Sequence, residues 1–336
     1  MTQGDATEPV SMRRMTRRRF LAKSAREAAA VGLASASASS ALRAAEAPRD
    51  KSRVILVSHP GALLKDYRVD TGVLSKMIEV GMKALTGKTS NTEAWQQIAQ
   101  PGQRITAKWN EIGSRAIQTR KELRDAVAAG FSSHGKHDPS KVFMFSRIEC
   151  KGDAARIVKV PIPHRGKDAK LRKLLTDHTD CLVNLPVLKS INFKSVSISL
   201  KNHFGSIANP WDFHTWDNGN DMGKTIIELN CHPAIKDKTR LIIVDALRPQ
   251  YEFGPISHPR FRWRMNTLMF GVDTVAIDAV GLDIIEQKRK TCEWVKKHGR
   301  NWQFPWARRM LAYGEQRGLG IADLNRIEIE RIELKA

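Results

Sequence analysis

The feature that most constrains the fold is a series of short, almost continuous apolar segments that alternate with helix-like segments. Four of the apolar segments lie at residues 53–59, 142–147, 241–245 and 267–271. Residues 72–86 instead carry apolar side chains at helical spacing. Nearly continuous apolar strands that alternate with helices are typical of sheets covered on both faces. The sequence therefore predicts an α/β fold with a mainly parallel sheet flanked by helices.

The chain has 336 residues, of which 41% are hydrophobic, so it can bury a large core. Residues 48–336 contain no internal repeat, coiled coil or clear linker. This part of the chain is predicted to be a single domain with elaborations.

Residues 1–47 are predicted to be a signal peptide. Residues 16–21, TRRRFL, are similar to the twin-arginine export motif, and an Ala- and Ser-rich run follows them. Residues 45–47, AEA, fit a small-x-small cleavage site, and the apolar run is too short for a spanning helix. We expect export through the twin-arginine translocase, a periplasmic or equivalent location, and a mature protein without a transmembrane helix. A disordered basic N-terminus is the alternative.

The formal net charge of +21 favours anionic partners such as phosphates, carboxylates, polyanions or an anionic membrane surface. No nucleic-acid-binding motif is present, and an exported protein does not meet nucleic acid routinely, so we expect no nucleic acid partner. An anionic small molecule is the expected ligand.

The four cysteines are far apart in the sequence, and no CxxC pair occurs; they are Cys150, Cys181, Cys231 and Cys292. The usual sequence evidence for a zinc ribbon or a ferredoxin-type iron–sulfur cluster is therefore missing. The sequence leaves the cofactor undetermined. In an exported protein one or two disulfides are an open alternative to buried free thiols.

Polar residues gather at the ends of the predicted strands, most densely in residues 182–205. Ligands of open α/β sheets bind beyond the carboxyl ends of the strands, so these residues are predicted to form a cationic site. The predicted ligand-binding residues are Lys108, Asn110, Lys189, Lys201, Asn202 and Gly205. For each lysine, a solvated loop position is the alternative interpretation.

Two residues are candidates for proton transfer. Asp245 ends a fully apolar segment, where a carboxylate needs a hydrogen bond or an ion pair, and His203 precedes Gly205. Together with His214 they are also the candidate metal ligands, although their spacing matches no known metal motif. Asp273 is predicted to be the N-cap of a helix over residues 274–288.

Three local predictions concern the surroundings of this site. A helix is expected over 119–130, with Thr119 as its N-cap. Residues 195–201 alternate serine with apolar side chains and are predicted to be a strand with a serine face. Residues 163–173 are predicted to form a basic loop.

Several of these motifs together resemble the domain-of-unknown-function family 362. The motifs are Lys108-x-Asn110, NLPVLK at 184–189, LKNHFG at 200–205, VDAL at 244–247 and DTVAID at 273–278. The resemblance extends over about residues 53–334 and implies no settled reaction. Some members carry ferredoxin-type cluster motifs, which this chain lacks. Residues 146–149, SRIE, depart from the aspartate-arginine start that the family pattern implies.

Three functional hypotheses remain at this point, and the enzymatic status is open. The first is an exported enzyme or binding protein for an anionic small molecule or cofactor. The second is a non-catalytic envelope protein that binds polyanions through its basic surface, including residues 289–310. The third is a redox accessory protein, which the missing cluster motif disfavours.

Overall fold

The computed structural model describes residues 50–147, 151–191, 195–214 and 220–335. Its strands are β1 (Ser52–Ser58), β2 (Ile105–Trp109), β3 (Val142–Phe145), β4 (Ile157–Ile162), β5 (Lys167–Arg172), β6 (Cys181–Leu185), β7 (Val187–Ile191), β8 (Ser195–Ser197), β9 (Thr239–Gln250), β10 (Thr267–Gly271) and β11 (Ile327–Glu333). Its α-helices are α1 (Thr71–Thr86), α2 (Asn91–Ile98), α3 (Lys121–Ala129), α4 (Gly152–Ala155), α5 (Lys173–Asp177), α6 (Ser199–Asn202), α7 (Asn220–Cys231), α8 (Pro233–Lys236), α9 (Thr274–Lys290), α10 (Glu293–Lys297) and α11 (Pro305–Gln316).

One large mixed sheet dominates the described residues. Seven of its strands lie in the order β11-β1-β10-β9-β6-β2-β3, and β7 pairs with both β8 and the outer half of β9. Most pairings are parallel, whereas β1 with β10, β10 with β9, and β7 with β8 are antiparallel. The predicted α/β fold with a mainly parallel sheet is confirmed.

Both faces of the sheet are apolar, which explains the nearly continuous hydrophobic segments in the sequence. In β1, Val54 and Leu56 enter one buried cluster with α7, α9 and α11, and Ile55 and Val57 enter a second cluster with α1, α2 and α3. Because neighbouring side chains point to opposite faces, β1, β6, β9 and β10 each contribute to both clusters. We call the side of α7, α9 and α11 the first face and the side of α1–α3 the second face.

Helix ends follow ordinary capping chemistry at several places. Asp273 accepts hydrogen bonds from the backbone N–H groups of Val275 and Ala276, so its predicted role as N-cap of α9 is confirmed. The predicted cap of α3 is wrong. Arg120 occupies the N-cap position, and the Thr119 hydroxyl donates to Leu185 O at 2.6 Å instead.

Two further local predictions were also wrong. The loop predicted over 163–173 is much shorter, because residues 167–172 form β5, which pairs with β4 in a separate two-stranded antiparallel sheet. The strand predicted over 195–201 ends at Ser197, and α6 begins at Ser199. Strand alternation could not reveal this change, because a single turn of helix contains too few residues to establish a period.

The predicted signal peptide, residues 1–47, lies outside the described residues, as does Cys150. None of the described helices combines the length and the apolar character that crossing a membrane requires.

Cys181, Cys231 and Cys292 are free thiols. Burial raises the pKa of the Cys181 thiol to about 12, so this side chain stays protonated in the core.

Candidate functional site

The candidate site lies where β2 and β6 end beside each other on the first face of the sheet. Lys108 and Asn184 are direct neighbours in the parallel pairing of these strands. Lys108 points away from Ala107 and Trp109, which belong to the second face, and is therefore on the first face. The helical turn α6, which comes directly after β8, brings Asn202 into contact with both residues.

Asn184 is the centre of a fully buried amide network. Its side-chain oxygen accepts from Asn202 Nδ2 at 2.7 Å, and its nitrogen donates to Ser199 O at 3.0 Å. Asn202 Nδ2 also donates to Lys108 O at 3.1 Å. These bonds tie the end of β2, the end of β6 and α6 into one unit. Because buried amides without partners are costly, the network also fixes the orientation of each asparagine.

Asp278 anchors α6 from the other side. Its carboxyl group, on α9, is completely buried and accepts from the backbone N–H of Ser199 at 2.7 Å. It also lies 3.4 Å from the N–H of Leu200. Burial raises the pKa of Asp278 to about 8, and the two amide donors oppose this shift. Asp278 therefore holds α6, the helical turn that carries Lys201 and Asn202.

Lys189 reaches the site from β7 and is completely buried. Its ammonium group donates to Asn110 Oδ1 at 2.7 Å, Ile112 O at 2.6 Å and Ile117 O at 3.1 Å. Burial, together with the neighbouring charges of Lys201 and Lys108, lowers its pKa to about 7. The three acceptors oppose this shift, because a neutral amine donates only two hydrogens. Lys189 thus fixes the segment 110–117 across the end of the sheet.

Lys108 lies against Gly205. The Lys108 ammonium donates to Trp109 O at 2.6 Å and lies 3.4 Å from Asn202 Oδ1. A Cβ atom at position 205 would be only 2.8 Å from Lys108 Nζ. Glycine is therefore required sterically, because any side chain at this position displaces the ammonium group.

Lys201 is the member of the group that is partly open to solvent. Its ammonium donates to His214 Nε2 at 3.1 Å and lies 4.6 Å from the centre of the Phe204 ring. His214 Nδ1 donates to Pro210 O at 2.8 Å, which leaves Nε2 as the acceptor. Burial lowers the pKa of Lys201 to about 8, and burial plus the Lys201 charge lowers that of His214 to about 4.

His203 is buried and uses both ring nitrogens. Asn184 Nδ2 lies 3.2 Å from Nε2, and Ser206 Oγ lies 3.2 Å from Nδ1. Because the Asn184 nitrogen is a donor, Nε2 accepts and Nδ1 carries the hydrogen. Burial and the Lys108 charge lower the pKa of His203 to about 3, so the ring is neutral at physiological pH. Its role as a proton-transfer residue stays a prediction.

Asp245 lies apart from His203, on the second face of the sheet. It alternates with Ile243 and Leu247, which both belong to the second-face core. Its carboxylate accepts from Arg120 Nη1 at 2.5 Å and from the Arg120 backbone N–H at 3.1 Å. The two predicted catalytic candidates are therefore not brought together, and Asp245 has a cationic partner of its own.

The predicted ligand-binding residues, in contrast, do assemble. Lys108, Asn110, Lys189, Asn202 and Gly205 are joined by the contacts above, and the Lys201 charge is close enough to affect Lys189. Across the described ranges, no group of three or more His, Cys, Asp or Glu side chains is arranged to hold a metal. The metal roles considered for His203, His214 and Asp245 thus gain no support from proximity to one another.

Three residues that hold predicted site residues in place were not themselves predicted: Asn184, Asp278 and Arg120. Asn184 ends an apolar strand, so the rule that selected Lys108 would also have found it. Asp278 lies inside α9, where a polar residue is usually on the solvent side, and only the packing of α6 reveals its function. No sequence signal pairs Arg120 with Asp245, because the two residues are 125 positions apart.

We call Lys108, Lys189 and Lys201 the lysine cluster. No carboxylate within the described ranges forms an ion pair with Lys189 or Lys201, so their charges are balanced only by neutral oxygens and a histidine nitrogen. Burying cations without a counter-charge is costly. The lysine cluster is therefore suited to hold an anion, which would supply that charge.

Comparison with known proteins identifies one match. A family model described as "Domain of unknown function (DUF362)" matches residues 113–283, about half of the chain. The matched segment contains Lys189, Asn184, the whole of α6 and Asp278. No curated protein matches this chain. No solved structure matches it either.

Proposed function

The chain belongs to the DUF362 family, whose description names no activity, and we propose from the site alone that the protein binds an anionic small molecule at the lysine cluster. The observation that carries this proposal is that Lys189 is buried, and Lys201 half-buried, without a carboxylate partner in the described residues. A phosphate- or carboxylate-bearing ligand would neutralise these charges. His203, which contacts Asn184, is the candidate for proton transfer to such a ligand.

Lys201 is the residue proposed to contact the ligand directly. Lys189 has three protein acceptors, whereas Lys201 has one hydrogen-bond partner among the described residues, His214. Lys201 therefore retains N–H groups that can donate to an anion. Its partial exposure gives a ligand access, and the neighbouring Phe204 ring limits the directions from which the ligand can approach.

The test is thermal unfolding of the wild-type protein with inorganic phosphate, pyrophosphate, acetate and citrate. An anion present at about 100 times its Kd should stabilise the wild type by about 2.7 kcal/mol. Lys201→Met should remove the part of this increment that comes from binding at the lysine cluster, because the ligand loses its accessible ammonium contact. Lys159→Met is the matched control, because it removes the same charge from an exposed position on β4.

Native mass spectrometry of the protein from its natural host complements this experiment. We expect a bound anionic mass on the wild type and on Lys159→Met, and loss of that mass in Lys201→Met. Equal stabilisation by every anion in all three proteins would contradict the proposal, because it would indicate a general effect of salt on the +21 charge.

We also propose that the chain is exported through the twin-arginine pathway. The support is the TRRRFL motif at residues 16–21 and the small-residue site at 45–47. Replacing both Arg17 and Arg18 by Lys should retain the protein in the cytoplasm, whereas replacing Arg13 and Arg14, which precede the motif, should leave export unchanged. Cell fractionation with immunoblotting measures the distribution, and export of the Arg17/Arg18 variant at the wild-type level would refute the pathway.

A further inference from the structure

A second group of cationic side chains lies beyond Asp245, where β9 continues past Leu247. Residues 262–266 run beside this extension: Met265 N–H donates to Leu247 O at 3.1 Å, and Trp263 N–H donates to Pro249 O at 3.2 Å. A further bridge pairs Gln250 with Arg262. The two neighbouring segments place Arg248 and Arg262 close to one another.

Tyr67 forms one side of this group. The Arg248 guanidinium carbon lies 3.4 Å from the centre of the Tyr67 ring, and that of Arg264 lies 5.0 Å from it. Arg264 is occupied structurally, since it donates to Leu63 O at 2.5 Å and Leu64 O at 2.9 Å. These bonds hold the loop that carries Tyr67, so the ring provides a fixed surface for the Arg248 guanidinium.

Arg248 and Arg262 differ from the arginines around them in their hydrogen bonding. Within the described ranges, neither guanidinium group donates a hydrogen bond or forms an ion pair, and the Nε atom of each is buried without an acceptor. Arg120, by comparison, is paired with Asp245. Burial and the Arg120 charge lower the pKa of both Arg248 and Arg262, so the three guanidinium groups are close enough to repel one another.

The charges in this region do not balance. Arg120, Arg248, Arg262 and Arg264 carry four positive charges, and Asp245 supplies one negative charge. A phosphoryl group carries a charge of about −1.5 to −2 at pH 7 and offers three acceptor oxygens. Its charge and its acceptors match the two guanidinium groups, whose planar forks favour bidentate contacts with phosphate.

We propose that Arg248 and Arg262 bind a phosphoryl group of a small-molecule ligand, with the Tyr67 ring as one wall of the site. We call Arg248, Arg262 and Tyr67 the arginine site. It does not depend on the lysine cluster. Asp245, next to which it lies, is on the second face of the sheet, whereas the lysine cluster is built around Asn184 and α6 on the first face.

The test is calorimetric titration of the full chain with inorganic phosphate at pH 7 and constant ionic strength. Four variants are compared with the wild type: Arg248→Gln/Arg262→Gln, Arg262→Lys, Arg309→Gln and Lys201→Met. Loss of charge-assisted hydrogen bonds should weaken phosphate binding about 10- to 100-fold in the double variant. Arg262→Lys keeps the charge but lacks the planar fork, so we expect an intermediate loss, of about threefold to tenfold. Arg309→Gln removes an exposed arginine from α11 and should bind phosphate like the wild type.

The variants separate this proposal from that of the lysine cluster. Lys201→Met should retain the phosphate affinity of the arginine site, even if it loses the anion at the lysine cluster. Wild-type phosphate affinity in a folded Arg248→Gln/Arg262→Gln variant would overturn the arginine site. An equal loss in Arg309→Gln would also overturn it, because the effect would then be one of net charge alone. A normal thermal unfolding curve for each variant ensures that the result reports binding rather than misfolding.

Discussion

Two buried cationic regions of this protein balance their charge in different ways. Arg289, on α9, is buried against the carboxylate of Glu252, which also pairs with Arg300 at 2.9 Å. Lys189 is buried to the same degree, but its three partners are an amide and two backbone carbonyls. The region of Arg289 contains its own counter-charge, whereas Lys189 is held by neutral groups.

This difference separates a structural from a functional use of buried charge. A buried ion pair needs no outside partner, and it fixes the segments that it joins. Cations collected without a carboxylate raise the free energy of the folded state, and such arrangements concentrate at functional sites. The comparison therefore favours a packing role for Arg289 and a ligand-binding role for the lysine cluster.

The largest effect is predicted for a substitution in the region of Arg289, where the buried charges are paired. Glu252→Gln leaves Arg289 buried without its carboxylate, so the free energy of unfolding should fall by about 3–5 kcal/mol. Urea denaturation at pH 7 measures the change. Glu328→Gln is the control, because Glu328 forms an exposed pair with Arg53 and should cost less than about 1 kcal/mol. Equal costs for the two variants would remove the distinction between the regions.

The second prediction concerns the pH dependence of stability that results from the lowered pKa of Lys189. Its pKa is about 7 in the folded protein and about 10.4 in an unfolded chain, so the unfolded state binds more protons between these values. The stability of the wild type should therefore increase with pH across this window relative to Lys189→Met. Because that variant also loses the hydrogen bonds of the Lys189 amine, we expect it to be about 1–3 kcal/mol less stable at pH 9 and closer to the wild type at pH 6.

Urea denaturation at pH 6, 7.5 and 9 measures this difference, with Lys159→Met as the variant of equal charge. A constant difference between wild type and Lys189→Met across the three pH values would show that Lys189 titrates normally. The buried Lys189 ammonium would then be fully compensated by its protein partners.

The third prediction concerns the contact between Gly205 and Lys108. Gly205→Ala places a methyl group 2.8 Å from Lys108 Nζ, and the ammonium has to move. We expect a loss of about 1–2 kcal/mol in stability, together with weaker anion binding. Gly72→Ala is the control, because a methyl group there meets only Asp70 Oδ1, at an ordinary 3.4 Å. Thermal unfolding with and without phosphate distinguishes the two variants, and identical behaviour would contradict the packing argument.

The smallest predicted effect is that of Asp278→Asn. Burial raises the pKa of Asp278 to about 8, so the folded protein binds more protons than the unfolded chain between pH 4 and pH 8. The stability contribution of this group therefore decreases as the pH rises through that window. Asparagine resembles the neutral acid and should cost less than about 1 kcal/mol at pH 5, with the difference shrinking or reversing by pH 8. A cost that grows with pH would instead show that Asp278 is ionised.

Much of the fold follows from the sequence, because its evidence is local. The apolar segments at 53–59 and 267–271 correspond to β1 and β10, and the helical spacing of residues 72–86 corresponds to α1. The rule that polar residues at strand ends meet at one edge also identified Lys108, Asn110 and Lys189, which hydrogen bonds now connect directly or through Asn202.

The remaining features depend on contacts between distant segments. Asp245 and His203 are separated because they lie on different faces of the sheet. Alternation shows which residues of one strand share a face, but it does not show which other elements pack on that face. The change from β8 to α6 depends on Asp278, which caps the turn from 79 residues away. Thr119 is not a helix cap for the same reason: its hydroxyl accepts from the Asn110 N–H and donates to Leu185 O, and both partners lie in other segments.

The central claim is that the lysine cluster carries positive charge that a bound anion neutralises. Carbon-13 NMR of lysine side chains, with Lys201 and Lys189 assigned by substitution, measures this most directly. We predict that Lys201 titrates near pH 8 and Lys189 near pH 7 in the free protein, and that a bound anion raises the pKa of Lys201. Titration of both lysines above pH 10, unaffected by any anion that the protein binds, would contradict the claim.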